Sequence, residues 1–284
     1  MKNRFLLALC ALLFVTLIPF NGGTVADAAT AKKKVSIKYA GGNYYGEIKN
    51  GKPHGKGAIQ WGKDKSYSGD WVDGKRSGYG KYINEIKESD DGFVPPRVTT
   101  TKTIYNGQWK NDKQNGEGYL VAGNDAPTSS SFRTVEKGTF VNGVLTKGYE
   151  RYEESWQHLA YTYKDSNTIL EVLMTPGSSG IDSNFKEDDS GWGVERYSKV
   201  EYTTIDKKGN KSTTSYNINT RYDLGYVVLD AIEITETVNG KVTNEDVVDY
   251  ELGLISESSK ILKLISLHVS GFESTNTLAN GLWK

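Results

Sequence analysis

The chain contains little cysteine, methionine, proline or histidine. Its 284 residues include one cysteine, two methionines, six prolines and three histidines. The single cysteine, Cys10, lies in an apolar N-terminal segment, so a chain that loses this segment has no thiol. Disulfides, thiolate zinc sites and cysteine nucleophiles are then all excluded. A fold built from the remaining residues must be held by packing and hydrogen bonds.

Long apolar runs are also lacking, apart from the one at the N-terminus. Two basic residues precede an apolar stretch from Phe5 to Ile18, and Ala26-Asp27-Ala28 supplies small residues where a signal peptidase reads them. This pattern predicts a secretory signal peptide over residues 1–28. The stretch is shorter than the roughly 20 residues that span a bilayer, so no transmembrane segment is predicted after cleavage. We expect a secreted, extracellular protein, associated with the cell surface and of bacterial origin.

Glycine and aromatic residues are abundant, and this indicates β-structure. The chain has 31 glycines, 18 tyrosines and 6 tryptophans, while hydrophobic residues make up 37% and charged residues 25%. Such a composition is low in apolar residues without being that of a disordered chain. Turns and aromatic strands are therefore expected to dominate, and we predict an all-β fold.

A unit of 23 residues recurs in the first half of the chain. After a linker over 29–38, copies begin at Tyr44 and Tyr67, and a third begins at Tyr105 after a 15-residue insertion. We delimit the copies as 44–66, 67–104, 105–135 and 136–150, the last being a degenerate terminal cap. The repeat-defining residues are Tyr44, Gly46, Ile48, Gly51, His54, Gly55 and Gly57; Tyr67, Gly69, Trp71, Gly74, Gly78 and Gly80; Tyr105, Gly107, Trp109, Gly116 and Gly118; and Gly138, Phe140 and Gly143.

Each copy has the pattern of a β-hairpin. Asn-Gly and Asp-Gly pairs, such as Asn50-Gly51 and Asp73-Gly74, favour the type I′ turn, because both residues tolerate positive φ. The preceding Tyr-x-Gly-x-Trp run alternates, so its aromatic residues and its glycine share one face of the strand. We expect the glycine to leave room for an aromatic ring of the next copy. Since one hairpin buries too little surface to stand alone, successive copies should stack into a ribbon.

The pattern Tyr-x-Gly-x-Trp-x-x-Gly-x-x-His-Gly-x-Gly resembles the MORN repeat. The segment from Tyr44 to Gly57 matches nearly every position, including His54, and the resemblance covers about residues 39–150. It implies a ribbon of stacked hairpins without catalytic activity, which serves as a scaffold or as a binding module for membranes or proteins. The repeat-defining residues are then structural, with one face of the ribbon available for binding.

Residues 151–284 lack the repeat and resemble no family. Hairpins are predicted around Lys207-Lys208-Gly209-Asn210 and around Asn239-Gly240, which lie between Thr- and Tyr-rich runs. Further strands are predicted at Leu170 to Met174, Tyr226 to Leu229 and Ile261 to Val269. We therefore expect a separate antiparallel β domain over 151–284, with little helix.

Charge is divided unevenly between the two halves. Residues 31–150 hold 20 Lys and Arg against 13 Asp and Glu, whereas residues 151–284 hold 13 against 21. The first half could contact anionic lipid, an anionic cell-wall polymer or an acidic protein. Alternatively, its lysines only prevent strand edges from pairing, or the two halves attract each other. No nucleic acid partner is expected.

The sequence carries no firm signal for catalysis, and no catalytic residue, metal or cofactor is predicted. His54 occupies a repeat position, His158 has no recognisable partner, and His268 is expected to be solvated on the polar side of a strand. The hypothesis that remains open is an extracellular hydrolase of glycosides or esters in the second half, with the repeats as its targeting module. Its carboxylates, Glu153 and Glu154 among them, cannot be paired from sequence.

Two further segments allow alternatives. The acidic stretch from Asp182 to Gly191 has Lys186 where a calcium loop needs its third ligand, so a solvated loop is favoured over a calcium site. Gly177-Ser178-Ser179-Gly180 follows a proline and indicates a loop rather than a nucleophile elbow. Trp192 and Trp283 belong to no repeat and are candidates for ligand contact.

Overall fold

A computed structural model describes residues 33–125, 131–154, 158–174, 194, 196–224 and 226–282. The predicted signal peptide, the acidic stretch from Asp182 to Gly191, the loop at Gly177 and the side chains of Trp192, Trp283 and His158 lie outside the described residues. The described residues from Lys33 onward belong to one compact unit.

Within the described residues, fifteen strands form one antiparallel sheet in which each strand pairs with its neighbours in the chain. The strands of the repeat half are β1 (Val35–Tyr39), β2 (Gly42–Lys49), β3 (Lys52–Gln60), β4 (Lys65–Val72), β5 (Lys75–Asp90), β6 (Arg97–Lys110), β7 (Lys113–Asp125), β8 (Phe132–Val141) and β9 (Val144–Glu154). The remaining strands are β10 (His158–Lys164), β11 (Thr168–Met174), β12 (Tyr197–Ile205), β13 (Lys211–Asp223), β14 (Tyr226–Val238) and β15 (Lys241–Val248). The prediction of stacked hairpins followed by antiparallel strands is confirmed.

The turn dipeptides act as predicted. Asn50, Asp73, Asn142 and Asn239 all have φ near +50°, and a glycine with positive φ follows each of them. Only residues without a penalty in the left-handed region suit these positions. The insertion in the second copy extends the hairpin of β5 and β6, whose strands remain paired as far as Asp90 and Arg97.

The sheet does not pause where the repeat ends. The boundary predicted between residues 150 and 151 falls inside β9, which pairs with β8 on one side and β10 on the other. The fourth copy is therefore not a terminal cap, because β9 has no free edge. A hairpin can lose its repeat side chains and still offer backbone groups to the next strand.

The C-terminal segment contradicts the sequence prediction. Instead of a strand at Ile261 to Val269, the chain forms α1 (Glu251–Ser266) and α2 (Val269–Leu282). Residues Ile265 to Val269 alternate in polarity, but the wider window has helical spacing. Buried residues recur three or four positions apart at Leu254, Ser258, Ile261 and Ile265. The strand predicted at Ile261 to Val269 is therefore wrong, and helical residues take its place.

Both helices pack on one face of the sheet. The largest core cluster joins Ile261, Ile265 and Phe272 of the helices to buried residues of β10–β15, such as Val172 and Val200. The helix α2 also contacts β7, β8 and β9. In this layer the Tyr161 hydroxyl donates a 2.7 Å hydrogen bond to Asn276 Oδ1, which pairs these two buried polar groups.

His268 is not a solvated strand residue. It lies between α1 and α2, half-buried, with its ring stacked on Tyr163 at a centroid distance of 4.0 Å. Its Nδ1 is 3.4 Å from the hydroxyl of Tyr149. Burial lowers the pKa of His268 below 6.5, and the nearby charge of Asp165 opposes this shift more weakly.

We predict that Gly271→Ala weakens the docking of α2. A Cβ at this position would overlap the ring of Tyr149, and the tight fit leaves little room for adjustment. Overpacking of this kind costs about 1–3 kcal/mol, so chemical denaturation should show a lower free energy of unfolding. The neighbouring exposed change Ser270→Ala is the control and should stay within about 0.5 kcal/mol of the wild type. Equal stability of both variants would contradict the packing described.

We also predict that His268 makes stability depend on pH. Because the folded state lowers the pKa of this group, protonation is disfavoured in the fold, and stability falls as the pH drops below about 6.5. His268→Phe keeps a ring for stacking on Tyr163 and removes the titration. The unfolding free energy of the wild type minus that of the variant should therefore decrease from pH 8 to pH 5. A difference that is constant over this range would refute the shift.

Candidate binding groove

An aromatic column fills the sheet face opposite the helices. In the register Ile104 pairs with Val121, which packs against Ala279 of α2, so the next residue, Tyr105, points to the other face. On that face the rings of Tyr44, Tyr67, Trp71, Tyr105, Trp109 and Phe140 are each at most 5% exposed. These predicted repeat residues therefore form a core of their own.

The rings of the column alternate from copy to copy in edge-to-face contacts. Trp71 lies 5.4 Å from Tyr44 and 5.2 Å from Tyr67, measured between ring centroids. Trp109 repeats this geometry between Tyr67 and Tyr105, at 5.4 and 5.1 Å. Edge-to-face pairs contribute about 0.5–1.5 kcal/mol each beyond area burial, so the column links successive hairpins.

Facing glycines make the column possible. Each strand from β2 to β9 has one glycine that lies opposite the glycine of the neighbouring strand. In chain order this row consists of Gly46, Gly57, Gly69, Gly80, Gly107, Gly118, Gly138 and Gly148. A Cβ at Gly57 would overlap the ring of Tyr44. The ring over each glycine pair thus belongs to the same copy, not to the next one as the sequence suggested. What the next copy supplies is an indole, since Trp71 Nε1 donates to the Gly57 carbonyl at 3.2 Å.

Each tyrosine hydroxyl of the column has a fixed partner. Tyr44, Tyr67 and Tyr105 donate to the carbonyl three residues ahead, at 2.6, 3.0 and 2.9 Å. Burial raises the pKa of Tyr44 and of Tyr105 to about 12, so both hydroxyls stay protonated donors. Buried tyrosines of this kind position the ring as well as filling space.

A second repeated element, not predicted from the sequence, is present in the three clean copies. The residue three after each tyrosine accepts a bond from the backbone N–H of the returning strand: Asp70 Oδ2 from Tyr79 at 2.9 Å, and Gln108 Oε1 from Glu117 at 3.0 Å. Glu47 does the same in the first copy. The sequence does show this pattern, because each clean copy has a side chain with an acceptor oxygen three residues after its tyrosine: Glu47, Asp70 and Gln108. It satisfies the extra N–H of the bulge that the glycines with positive φ create.

The turns of successive copies are also joined. The second residue of one turn donates its N–H to a carbonyl of the copy before it, as Gly74 does to Pro53 at 2.8 Å and Gly143 to Gln114 at 2.9 Å. His54 lies at the same level, with Nδ1 3.4 Å from the N–H of Asp73. The structure therefore places His54 between two hairpins.

The degenerate copy keeps the glycine pair in altered form. Gly138 faces Gly148, whereas the aligned sequence put Lys147 and Tyr149 at the glycine positions. Between Phe140 and Gly148 the return strand is one residue shorter than in the other copies, so the bulge is smaller. The ladder of hydrogen bonds survives because both backbones can still approach closely at the two glycines.

An open groove of about 600 Å³ lies at the edge of the aromatic column. Its walls include the partly exposed rings of Tyr39, Trp61 and Tyr82, and its floor is Trp71, which is 3% exposed. Trp61 Nε1 donates to the Ala40 carbonyl at 2.9 Å, and the hydroxyl of Tyr39 donates to the Gly74 carbonyl at 3.0 Å. Both polar edges are thus satisfied by backbone, and the Arg76 guanidinium lies 5.7 Å from the centroid of the Tyr82 ring.

Positive charge lines the same groove. Lys52, Lys65 and Lys75 are exposed at its rim, and Arg76 is half-buried in its wall. Lys65 Nζ is 5.7 Å from the centroid of the Trp61 ring. The cations outnumber the two acidic lining residues, Asp73 and Asp112.

Arg76 is held by a departure from the repeat. The third copy has Asp112 where the others have glycine, and it adopts φ +67°. Its Oδ1 lies 3.0 Å from Arg76 Nε and also accepts the backbone N–H of Arg76 at 3.0 Å. The guanidinium lies 4.4 Å from the centroid of the Trp109 ring. A left-handed non-glycine residue costs of order 1 kcal/mol, which these bonds to Arg76 offset.

Few of the predicted site residues reach the surface of the groove. Among them only Trp71 and Gly74 line it, and Ile48 is 39% exposed elsewhere. Trp61, Tyr82 and Arg76 were not singled out from the sequence. Comparing the copies position by position would have found Trp61, because Asn84 and Ala122 occupy its place in the other copies.

Carboxylates from β8, β9, β11 and β12 lie on the same sheet face as the column. Glu136 faces Glu150, and Glu171 faces Glu201. Burial and the facing carboxylate raise the pKa of Glu136 and that of Glu171. The glutamates considered for a hydrolase are engaged otherwise: Glu153 pairs with Arg151 at 2.7 Å, while Glu154 accepts a bond from Tyr152.

Two features are absent from the residues that the structure describes. No helix in this part of the chain is both long enough and apolar enough to cross a membrane. No three His, Cys, Asp or Glu side chains among the same residues are placed to hold a metal ion.

Comparison with known proteins places the repeats among known sequences. A family model described as MORN repeat matches residues 44–64, 67–84 and 105–124. MORN repeat-containing protein 3 of Xenopus laevis is 40% identical over 79 residues, which are 28% of this chain and 29% of that protein. Alsin of Rattus norvegicus is 35% identical over 75 residues, which are 26% of this chain and 4% of Alsin. The chain thus spans less than a third of these relatives.

We predict that Gly80→Ala destabilises the column. The new methyl group would overlap the Tyr67 ring, which is fully buried and cannot move aside without losing its contacts with Trp71 and Trp109. The expected loss is about 1–3 kcal/mol, measured by urea unfolding. Gly92→Ala, in an exposed loop where only a flexible Asp90 side chain is near, should change stability by less than about 0.5 kcal/mol. Similar effects of the two changes would argue against the glycine row.

Proposed function

We propose that this protein, which contains MORN repeats, is a secreted, non-catalytic binding or scaffolding module of the cell surface. It attaches through the basic repeat half to an anionic lipid or cell-wall polymer. The observation that carries the proposal is the charge division, with 20 Lys and Arg against 13 Asp and Glu in residues 31–150. A concentrated positive field attracts polyanions even when the whole chain is neutral.

The geometry of the repeat half supports binding rather than chemistry. The repeat-defining aromatic residues are buried in the column, and exposed charges, such as Lys49, Lys81 and Lys110, lie on a rigid sheet. A rigid display of charge lowers the entropy lost on binding to an extended polymer or surface. The acidic second half and its helices would then face away from the anionic surface or hold a protein partner.

The hydrolase alternative has weaker support. A glycosidase needs two carboxylates on either side of a substrate cleft. Neither Glu136 with Glu150 nor Glu171 with Glu201 lines the aromatic groove described above. The raised pKa of Glu136 has a sufficient cause in its burial and in the facing Glu150. We therefore place binding ahead of catalysis.

The proposal predicts salt-sensitive sedimentation with acidic surfaces. The chain without residues 1–28 should co-sediment with phosphatidylglycerol vesicles or with isolated cell walls at low salt. It should be released at about 1 M salt, where the screening length falls to about 3 Å. Changing Lys49, Lys81 and Lys110 to Gln should reduce the bound fraction, because it removes three exposed charges from the repeat half.

A matched control changes Lys207, Lys208 and Lys211 to Gln. These lysines are also exposed, so the net charge falls equally, but they lie in the acidic half. The control should bind like the wild type. Equal loss of binding in both triple variants would show that net charge alone is sensed, and no sedimentation at low salt would end the attachment proposal.

A further inference from the structure

Several residues that the repeat does not require converge on the aromatic groove. Trp61 has Asn84 and Ala122 as its counterparts in the other copies, and Arg76 has Pro53 and Gln114. Stacking of hairpins works without an indole or a guanidinium at these positions, as the other copies show. Trp61 and Arg76 are 15 residues apart in the sequence, yet both line the same groove.

Contacts with neighbouring residues fix the side chains that line the groove. Gly42 makes room for the indole of Trp61, since a Cβ there would approach Trp61 Cδ1 to 3.0 Å. Tyr39 is anchored across the groove on Gly74 and packs edge-on against Trp71 at 6.4 Å. Arg76 is clamped by Asp112, as described above. Ring positions and one cation are therefore set before any ligand binds.

The mixture of rings and cations identifies the ligand chemistry. Flat aromatic faces suit the C–H faces of sugar rings, while the amines of Lys52, Lys65 and Lys75 suit carboxylate or phosphate groups. Within the described residues none of the three lysines forms an ion pair. A volume of about 600 Å³ is within the usual range of ligand sites and is large enough for more than one sugar ring.

A membrane fits this groove less well than a polymer does. The floor, Trp71, is 3% exposed, and Tyr39, Trp61 and Tyr82 are only partly exposed in the concave walls. Aromatic side chains that anchor a protein in a bilayer must project into the interface. A single polymer chain can instead enter a recess and bring its acid groups to the rim.

We propose that the groove lined by Tyr39, Trp61, Tyr82 and the lysines at 52, 65 and 75 binds an acidic polysaccharide. Sugar rings lie on the aromatic walls, and their acid groups pair with the rim lysines. The inference deepens the proposed function, on whose anionic surface ligand it rests, by naming a ligand class and a site. It also explains the aromatic residues that a purely electrostatic contact would not need.

The test measures the affinity of the chain from residue 29 onward for three probes by calorimetry at low salt. Polygalacturonate carries sugar and charge, polyphosphate carries charge alone, and dextran carries sugar alone. We expect binding to polygalacturonate. Trp61→Ala should weaken this binding about tenfold while leaving polyphosphate affinity unchanged, as expected for loss of an aromatic contact at the centre of a site. Tyr45→Ala, which removes an aromatic side chain that is 56% exposed outside the groove, is the matched control.

A second variant keeps the test valid if Trp61→Ala does not fold. The pair Lys52→Gln and Lys75→Gln should weaken polygalacturonate binding more than the pair Lys49→Gln and Lys81→Gln, which removes the same charge outside the groove. If Trp61→Ala binds like the wild type and the two lysine pairs behave alike, the groove proposal is overturned, while salt-sensitive sedimentation would leave the proposed function standing. Binding to vesicles or polyphosphate without polygalacturonate overturns the ligand class only. Failure to bind any polyanion or vesicle overturns both.

Discussion

A tyrosine ring lying across two facing glycines is the contact on which the repeat half depends. In each clean copy the ring takes the space that two Cβ atoms would fill, and its hydroxyl reaches a carbonyl three residues ahead. The close approach buries the ring almost fully in a single sheet layer, because the backbone itself is the opposite wall. The indole of the next copy closes the remaining side. Repetition is therefore needed for burial, which is why one hairpin could not be stable alone.

The second half buries its core side chains in a different way. The strands that the structure describes there have no glycine row, and their core faces a layer of two helices on the opposite side of the sheet. A sheet that changes the face it buries can remain continuous, because backbone pairing does not depend on which side chains are covered. The change occurs around β8 and β9, where Phe140 still belongs to the column and Tyr149 already contacts α2. Those strands carry both kinds of packing at once.

Residues that differ from the repeat pattern can be recognised because the other copies show what the fold requires at the same positions. Asp112 occupies a position suited to glycine, and the bonds that it makes to Arg76 offset the cost of its conformation. Trp61 is not required by the column, and it is fixed in the wall of a groove with exposed lysines. Residues that cost something locally, or that add nothing to the fold, are the natural candidates for function. In this protein they coincide with a surface that brings four cations and three partly exposed rings together.

Local patterns in the sequence were enough to predict the hairpins, because a type I′ turn needs residues such as Asn239 and Gly240 and an alternating strand needs only neighbours two positions away. They also identified the MORN repeats and the burial of Tyr67 and Trp71 in a common face. The helices were not predicted, because polar and apolar residues alternate from Ile265 to Val269 and this local alternation indicated a strand.

Only the tertiary structure decided which ring covers which glycine, that the sheet runs unbroken past residue 150, and that Tyr39, Trp61 and Arg76 meet in one groove. Each of these depends on the combined twist and register of many strands, and no single segment of the sequence determines that combined arrangement.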